Sequence, residues 1–507
     1  MQGTSEAQGQ LLDASSLCGH LVPEGSVHAF LARHRKDLFP DELFADLFPS
    51  ERGRPSEPSD VVATVMVLQR LEGVSDREAR QRLRTDISWK VACGLPLTDE
   101  GFHATVLTLW RNRLRASDRP QRIFDAVREV IKQTNVLHGR NRRVLDSTVL
   151  DDAVSTQDAV MQLVTAIRKV RREIPQAKAI TLDAHDYDND PGKPDCAWDD
   201  EQARDALVSS LVADALHVLI DVSVLELTDA QQEAVGLLAL VAGQDVEPGD
   251  DEGTWRIAKG TRPGRMVSAV DPESRHVHKT VHSYRDGYKA HLAVEPETGL
   301  VTACSLTPGN QHDGVSGVAL LAEDEEGLEI LGDSAYGAGE VREALEAAGH
   351  VQTIKPKPTR QRVVGGFTRD DFDIDLDART VTCPAGHTVT ISPRGNADFR
   401  SRCRSCPLRS RCTTAASGVS LKVDGYERLR QMARERARDP DFIETYRTMR
   451  PMVERTIAWF VARGHRKVRY RGVDRNAFWV TTRAAAINLR RLVNLGLHRA
   501  DGVWALA

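Results

Sequence analysis

The sequence predicts an α/β protein with a mixed sheet, preceded by an all-helical domain and interrupted by two insertions. Three observations carry this prediction. Helical periodicity fills residues 1–135, short apolar strand patterns recur between 136 and 356, and a Cys-, Arg- and Gly-rich stretch at 357–423 breaks the pattern. At 507 residues the chain exceeds what a single core usually organises, so several structural units are expected.

The N-terminal segment has clear helix signals. Val61, Val65 and Leu68 follow helical spacing, and Ser75 is a typical N-cap for the basic stretch that follows. Arginine-rich short helices suit a DNA-binding module, although an ordinary small helical bundle explains the same pattern. The candidates for DNA contact here are Arg77, Arg80, Arg82, Arg84, Arg111 and Arg113.

The middle of the chain alternates between strand and helix patterns. An apolar strand over 141–149 carries Asp146, and a second over 328–332 ends at Asp333. Between them, short strand patterns predict an antiparallel meander at 265–270, 287–294 and 301–307. A helix and a further strand are then predicted at 339–348 and 351–355.

Two insertions interrupt this core. Residues 156–255 have mostly helical periodicity and are strongly acidic from 183 to 252, whereas 357–423 hold four of the eight cysteines. Beyond them, helices are predicted at 426–438, 442–463 and 481–497, and the second of these carries Glu454.

Composition excludes several protein classes. A hydrophobic fraction of 41% with 28% charged residues is typical of a soluble globular protein, and no uncharged apolar stretch is long enough for a membrane span. The N-terminus has neither a basic start nor an apolar core, so we expect a cytoplasmic protein, associated with the nucleoid if it binds DNA. Eight cysteines in so long a chain do not indicate a disulfide scaffold.

The net charge of −5 conceals an uneven distribution. Residues 426–472 contain thirteen Arg or Lys against six Asp or Glu by direct count. A basic surface of this kind suits nucleic acid, while solvated and internally paired helices explain it equally well.

Three carboxylates stand out by their positions. Asp146 and Asp333 each follow apolar strand residues, and Glu454 lies on an arginine-rich amphipathic helix. Buried carboxylates are costly alone and are expected to share a cation, so the three together would form a two-metal phosphoryl-transfer site. Taken singly, each aspartate is equally explained as the cap of a turn or a helix, and Glu454 as one half of a surface ion pair with Arg450.

Four cysteines of the second insertion have zinc-ribbon-like spacing. Cys403 and Cys406 form a Cys-x-x-Cys pair, with Cys383 before it and Cys412 after it. Four thiolates at this separation can close a tetrahedron around Zn²⁺, and His387 is a fifth candidate ligand. Reduced free thiols or a redox pair is the alternative. The interleaved arginines, Arg404 among them, make the segment a candidate for contact with the DNA backbone.

Five motifs follow one another in the order known from one family. They are VLDST (144–148), DGYKAH (286–291), TPGNQHD (307–313), LGDSAY (331–336) and RPMVER (450–455). On these motifs the chain resembles bacterial insertion-sequence transposases of the DDE type, in the branch with an N-terminal helical domain and a Cys-rich insertion before the last acidic residue. The resemblance spans about residues 60–497.

The resemblance implies a ribonuclease-H-like catalytic core formed by 136–155, 256–356 and 424–480, followed by a C-terminal helix within 481–507. In that core Asp146, Asp333 and Glu454 would bind two Mg²⁺ or Mn²⁺ ions and catalyse DNA strand cleavage and strand transfer.

Further residue roles follow from the same resemblance. Tyr446 and Arg450 would belong to the helix signature of Glu454, with Arg463 or Lys467 as the basic residue beyond it. Lys289 lies beside the predicted site, where it would contact phosphate or merely pack. For Asn310 and Asp313, an Asx turn is the preferred interpretation.

The implied partners are double-stranded DNA, as transposon ends and as target, and a second copy of the chain in a synaptic homodimer. The helices of 1–135 would bind the terminal inverted repeats. The alternative is a non-catalytic, sequence-specific DNA-binding protein derived from a transposase, which retains zinc and the basic helices.

Overall fold

The structure is a computed structural model that describes residues 1–5, 12–50, 52–260, 262, 264–280 and 283–507. Its α-helices are α1 (Ala14–Cys18), α2 (Val27–Leu38), α3 (Ser59–Glu72), α4 (Asp76–Thr85), α5 (Ile87–Cys93), α6 (Thr105–Ala116), α7 (Arg122–Gln133), α8 (Ala159–Glu173), α9 (Glu201–Val222), α10 (Asp229–Gln244), α11 (Asp313–Ala319), α12 (Gly339–Ala347), α13 (Arg409–Cys412), α14 (Glu427–Arg436), α15 (Pro440–Met449), α16 (Pro451–Val461) and α17 (Val473–Asn494). Its strands are β1 (Arg142–Asp151), β2 (Val246–Pro248), β3 (Trp255–Ile257), β4 (Arg275–Thr280), β5 (Ser283–Val294), β6 (Val301–Pro308), β7 (Glu329–Gly332), β8 (Val351–Ile354), β9 (Asp373–Asp375), β10 (Thr380–Thr382), β11 (Thr388–Thr390), β12 (Asn396–Asp398), β13 (Ser420–Lys422), β14 (His498–Ala500) and β15 (Val503–Ala505).

The N-terminal region is helical, as predicted. Ser75 caps α4 in a capping box, since its hydroxyl accepts from Glu78 N at 3.3 Å and the Glu78 carboxylate accepts from Ser75 N at 2.7 Å. Gly73 ends α3 in the left-handed conformation, at φ 72°, which costs glycine little. Helix α3 is buried along nearly its whole length, so this region packs around it.

A mixed sheet occupies the middle of the chain, as predicted. Its order is β4-β5-β1-β7-β8, and β6 also pairs with β5, along residues 288–294, whereas β4 pairs with residues 283–287. Strand β5 is antiparallel to β1, β4 and β6, whereas β7 is parallel to both β1 and β8. Helix α12 makes the crossover between β7 and β8 that parallel pairing requires.

One predicted strand was wrong. Residues 265–270 are not a strand, and β4 supplies the first member of the antiparallel meander instead. Side chains satisfy the backbone of this segment: Gln244 Oε1 accepts from Met266 N at 2.8 Å, and Gln157 Oε1 accepts from Ala269 N at 2.9 Å. Because these two backbone N–H groups already donate to glutamine side chains, they need no hydrogen bond from a neighbouring strand.

Helix α17 joins the N-terminal helices to the sheet. It begins at Val473, eight residues before its predicted start, and packs against α2, α3, α6, α7 and β6. It is buried on almost all sides, as expected for a helix whose apolar residues are not confined to one face. One hydrophobic core therefore runs from α2 through α17 to the sheet.

The two insertions fold around cores of their own. Helices α8, α9 and α10 share a hydrophobic cluster that is separate from the sheet. In the Cys-rich insertion, β9, β10 and β11 form a three-stranded sheet and β12 pairs with β13. A small cluster that includes Phe399 and the buried Cys403 holds these pieces together.

The helix predicted at 442–463 is divided in two. Helix α15 ends at Met449 and α16 begins at Pro451, with Arg450 between them. Proline has no N–H to continue the hydrogen bonds of α15, but it is well tolerated in the first turn of a new helix. Among the residues that the structure describes, no helix is both long and apolar enough to cross a membrane.

Asn488 ties α17 to the edge of the sheet, and its loss should destabilise the fold. Its side chain accepts from Val301 N at 2.8 Å and donates to Val301 O at 2.7 Å, fully buried. We expect Asn488→Ala to lower the free energy of unfolding by about 2 kcal/mol, because both backbone groups lose their partner. Urea denaturation measures this, with the exposed Asn494→Ala on the same helix as the control. Equal stability of the two variants would contradict the assignment.

Candidate active site

Asp146 and Asp333 lie side by side at the centre of the sheet. Parallel pairing places Val144 opposite Leu331, and each aspartate comes two residues later on its chain, so both side chains point to the same face. Asp146 lies within its strand, because β1 continues to Asp151 in pairing with β5. The pairing of β1 with β7 ends at Val144, two residues before Asp146.

Each aspartate is held by a local backbone contact. Asp146 Oδ1 accepts from Ser147 N at 2.8 Å, and Asp333 Oδ1 accepts from Ala335 N at 2.8 Å. The second contact makes Asp333 the cap of the 3₁₀ turn Ser334–Tyr336. A capping role and a place in the acidic cluster are therefore compatible for this residue.

Arg450 supplies the positive charge of the site. Its Nη2 donates to Asp146 Oδ2 at 2.8 Å, and the Asp146 side chain is only 16% exposed. Burial raises the pKa of Asp146, the Arg450 guanidinium opposes that rise, and the charge of Asp333 adds to it. The arginine thus compensates two neighbouring carboxylates that would otherwise repel each other.

Glu454 lies on the other side of the same guanidinium. Arg450 Nη1 is 3.9 Å from Glu454 Oε1, one helical turn away, and the Glu454 side chain is 67% exposed. Helix α16, which carries Glu454, packs against β1. The structure therefore brings all three predicted acids around Arg450, but it leaves Glu454 at the solvent edge of the cluster.

Two further residues of the cluster were not singled out from the sequence. Lys355, exposed directly after β8, has its Nζ 4.3 Å from the ring centre of Tyr446 on α15. Tyr336 is buried and ends the 3₁₀ turn that Asp333 caps. A lysine after a strand is a common pattern, and in the sequence Tyr336 stands out only as part of the motif LGDSAY, so neither position carries a signal of its own.

Asp313 forms a second acidic position beside the first. Lys289 Nζ lies 3.0 Å from Asp313 Oδ1, and the ring of the fully buried His291 lies 4.0 Å from the same oxygen. Burial lowers the pKa of His291 to about 4, so the ring is neutral near pH 7. The expected Asx turn is not formed by Asp313, because the residue that caps α11 is His312, which accepts from Gly314 N.

The basic residues predicted to contact DNA fall into two groups. One group is exposed and free to meet a partner: Arg77, Arg80, Arg84, Arg113, Arg404 and Lys467. The other group is engaged within the chain: Arg82 with Glu72, Arg111 with Asp76, Lys289 with Asp313, and Arg450 with Asp146. Arg111 is buried, so its guanidinium stabilises the N-terminal fold and is not available at the surface.

The cysteines of the second insertion share one cavity. Cys383, Cys403, Cys406 and Cys412 line a space of about 20 Å³ together with His387, large enough for one water-sized occupant. Burial raises the pKa of Cys412, and the other three thiols raise it further. All eight cysteines of the chain are unpaired thiols.

Neither cluster has metal-binding geometry as it stands. Across the described parts of the chain, no group of three or more His, Cys, Asp or Glu side chains is arranged to hold a metal ion. In the acidic cluster Arg450 lies between Asp146 and Glu454, and in the cysteine cluster the four cysteines line the cavity. The residue types nevertheless fit: carboxylate oxygens suit Mg²⁺, and thiolates suit Zn²⁺.

Removal of Arg450 should make the acidic cluster more dependent on an added cation. We expect Arg450→Met to lower the free energy of unfolding in EDTA by about 2 kcal/mol, because Asp146 loses its partner. Mg²⁺ should then stabilise the variant more than it stabilises the wild type, as measured by thermal denaturation. Arg466→Met is the control, since Arg466 contacts Thr148 and Val149 on the same strand but no carboxylate of the cluster. An unchanged Mg²⁺ effect in Arg450→Met would contradict this description.

Comparison with known families gives two matches. Residues 382–493, which include Arg450 and Glu454, match a family model described as a transposase DDE domain. Residues 18–113, in the N-terminal helices, match one described as a transposase domain (DUF772). No curated protein and no solved structure matched the chain. Both matches are to transposase families, so the N-terminal helices and the region that carries Arg450 and Glu454 are each similar to transposase domains, whereas Asp146 and Asp333 lie outside the matched residues.

Proposed function

We propose that the chain is the transposase of an insertion sequence, which binds terminal inverted repeats and cuts and joins DNA strands at the acidic cluster of Asp146, Asp333 and Glu454. The family matches indicate transposition in general, with DNA as the partner. The observation that carries the finer proposal is the guanidinium of Arg450, which lies between Asp146 and Glu454 with Asp333 beside it. We further propose that the sheet and its helices are a ribonuclease-H-like core.

The acidic cluster has the chemistry of a divalent-cation site. Three carboxylates supply hard oxygen ligands, and Arg450 holds the position that a cation would take between them. Two bound Mg²⁺ or Mn²⁺ ions would activate a water or a DNA 3′-hydroxyl and stabilise the leaving oxygen of an in-line displacement. Asp146 and Asp333 are fixed by the sheet, whereas the exposed Glu454 is free to turn toward the ions.

Arg450 has a second task in this proposal. Its Nε and Nη1 are buried and make no hydrogen bond of ordinary geometry among the described residues, although the Tyr446 side chain lies near the guanidinium. Buried donors of this kind need an acceptor, and an arginine fork suits phosphate well. When cations neutralise the carboxylates, Arg450 would turn to the scissile DNA phosphate. The exposed Lys355 at the same edge would neutralise a neighbouring phosphate.

The exposed arginines of the N-terminal helices support a role in binding DNA ends. Arg77, Arg80 and Arg84 lie on α4, and Arg113 lies on α6 with its guanidinium over the ring of Phe48. Helix α4 has few buried residues, so most of its surface can face a duplex. We propose that these side chains bind the inverted repeats and that two copies of the chain bring two ends together.

Substitution of each carboxylate tests the catalytic proposal. We expect Asp146→Asn, Asp333→Asn and Glu454→Gln each to reduce Mg²⁺-dependent strand cleavage by at least a hundredfold, because a cation loses a charged ligand. Binding to the same DNA should change little. The substrates are duplexes with the inverted repeats that flank the coding sequence, and cleavage is followed on denaturing gels.

Glu329→Gln is the matched control for these variants. Glu329 lies on β7 near Asp333, but its carboxylate pairs with Arg142 and Thr353. Normal cleavage by any of the three site variants would remove that residue from the site. Tight binding of the ends without cleavage by the wild-type chain would favour the alternative, a non-catalytic DNA-binding protein derived from a transposase.

We also propose that the cavity of Cys383, Cys403, Cys406 and Cys412 is a structural Zn²⁺ site. Cys383 lies in the tight turn between β10 and β11, where its N–H donates to His387 O at 2.9 Å, and Cys403 belongs to the small core of this insertion. Four thiols around a cavity of atomic size fit one Zn²⁺, which would draw them together as thiolates. His387, at the same cavity, is the substitute ligand.

Elemental analysis tests the zinc proposal. The purified chain should contain about one Zn²⁺, and Cys406→Ser should lose most of it, because a structural site needs all four ligands. Cys304→Ser, in the central sheet and far from this insertion in sequence, should retain the metal. A zinc-free wild-type chain, or a Cys406→Ser variant with a full zinc complement, would overturn the assignment.

A further inference from the structure

Helix α9 of the helical insertion exposes a row of large apolar side chains. Leu216 and Ile220 lie on the helix and Val224 directly follows its last turn, and the three are 41%, 67% and 83% exposed. Residues four apart lie above one another on a helix, so these side chains form one line. The other side of α9 packs into the core that it shares with α8 and α10. The row is therefore surface that this core does not use, and apolar surface of this kind marks an interaction site.

The charges around the row exclude nucleic acid as its partner. Residues 205–250 contain nine Asp or Glu and no Lys or Arg by direct count. Such a surface would repel DNA phosphates, and it would also repel the anionic lipids of a membrane. The partner of the row is therefore a protein surface with apolar side chains of its own.

A polar pair beside the row is complementary to itself. His217 and Asp221 lie one helical turn apart, are 53% and 47% exposed, and have 3.6 Å between Nε2 and Oδ2. When two copies of α9 lie antiparallel about a two-fold axis, each residue before the axis faces a residue at the same distance after it. An axis near Ile220 sets Leu216 against the partner's Val224. Within one residue, the same axis sets His217 against the partner's Asp221.

We propose that the row of Leu216, Ile220 and Val224 is a contact between two copies of the chain, formed by antiparallel α9 helices about a two-fold axis. The purpose of this contact rests on the proposed function, in which two copies bring two DNA ends together. The contact itself can be measured without DNA, so the two proposals can fail separately. It gives the acidic insertion a role, because the insertion joins the copies at a surface that repels DNA.

The contact should be weak on its own. Three side chains cover far less than the area of about 800 Å² per partner that stable interfaces bury. The two acidic insertions also repel each other, and salt screens that repulsion. We therefore expect a reversible dimer in the micromolar range, which becomes tighter as the salt concentration rises. Contacts to DNA behave in the opposite way, because salt weakens them.

The first experiment measures self-association of the full-length chain by sedimentation equilibrium, without DNA and at low and high salt. Ile220→Glu places two like charges face to face at the axis, so the dissociation constant of the dimer should rise by at least about tenfold. Leu240→Glu is the matched control. Leu240 is a 51% exposed leucine of the same insertion, but it lies on α10 outside the row, so this variant should dimerise like the wild type.

Two further variants test the two-fold geometry. His217→Glu sets the new carboxylate against the partner's Asp221, and Asp221→Lys sets the new ammonium against the partner's His217. Each variant alone should dimerise more weakly than the wild type. In an equal mixture the two variants complement each other at both contacts, so the mixture should dimerise again. A residue that serves only the fold of its own chain cannot be rescued by mixing two variants.

Three results would overturn the proposal. One is a wild-type chain that remains monomeric at every concentration. Another is a dimer that Ile220→Glu does not weaken, or that the mixture of His217→Glu and Asp221→Lys does not restore. The third is loss of single-end DNA binding in Ile220→Glu, which would assign the row to DNA. If the wild-type chain dimerises but neither binds nor cuts the inverted repeats, the contact stands and the proposed function fails.

Discussion

The parallel register of β1 and β7 is the constraint on which the site depends. It places Asp146 beside Asp333 on one face of the sheet, partly removed from water. Two neighbouring carboxylates in such a place are unstable without a cation, because burial weakens the screening of their charges. Arg450 supplies this cation, because it lies at the break between α15 and α16 and its guanidinium donates to Asp146. A metal ion that bound between these carboxylates would therefore have to displace the Arg450 guanidinium from Asp146.

The rest of the fold keeps this arrangement rigid. Helix α17 packs against β6 on one side and against N-terminal helices on the other, so the sheet and the arginine-rich helices share one hydrophobic core. Within this core, buried polar contacts such as that of Asn488 with Val301 fix the distance between helix and sheet. The N-terminal helices with their exposed arginines are thus mechanically connected to the strands that carry the acids.

Part of this picture was accessible from the sequence. Strand patterns around Asp146 and Asp333 predicted two strands, whereas the parallel pairing and register that place the two acids together had no signal in the sequence. The division of the helix at Pro451 had a plain signal in the proline itself. Two other features had no signal in the sequence. Helical spacing does not reveal that Arg111 turns inward to Asp76. Strand-like spacing does not reveal that glutamine side chains, rather than a neighbouring strand, satisfy the backbone at 265–270. These outcomes depend on tertiary partners far away in the chain.

A crystal structure of the chain with Mn²⁺, with an anomalous difference map to locate the metal, would show whether a cation replaces Arg450 between the carboxylates. We expect Mn²⁺ between Asp146 and Asp333, with Glu454 turned toward it and the Arg450 guanidinium displaced from Asp146. Arg450 still paired with Asp146, and no Mn²⁺ between the two aspartates, would contradict it.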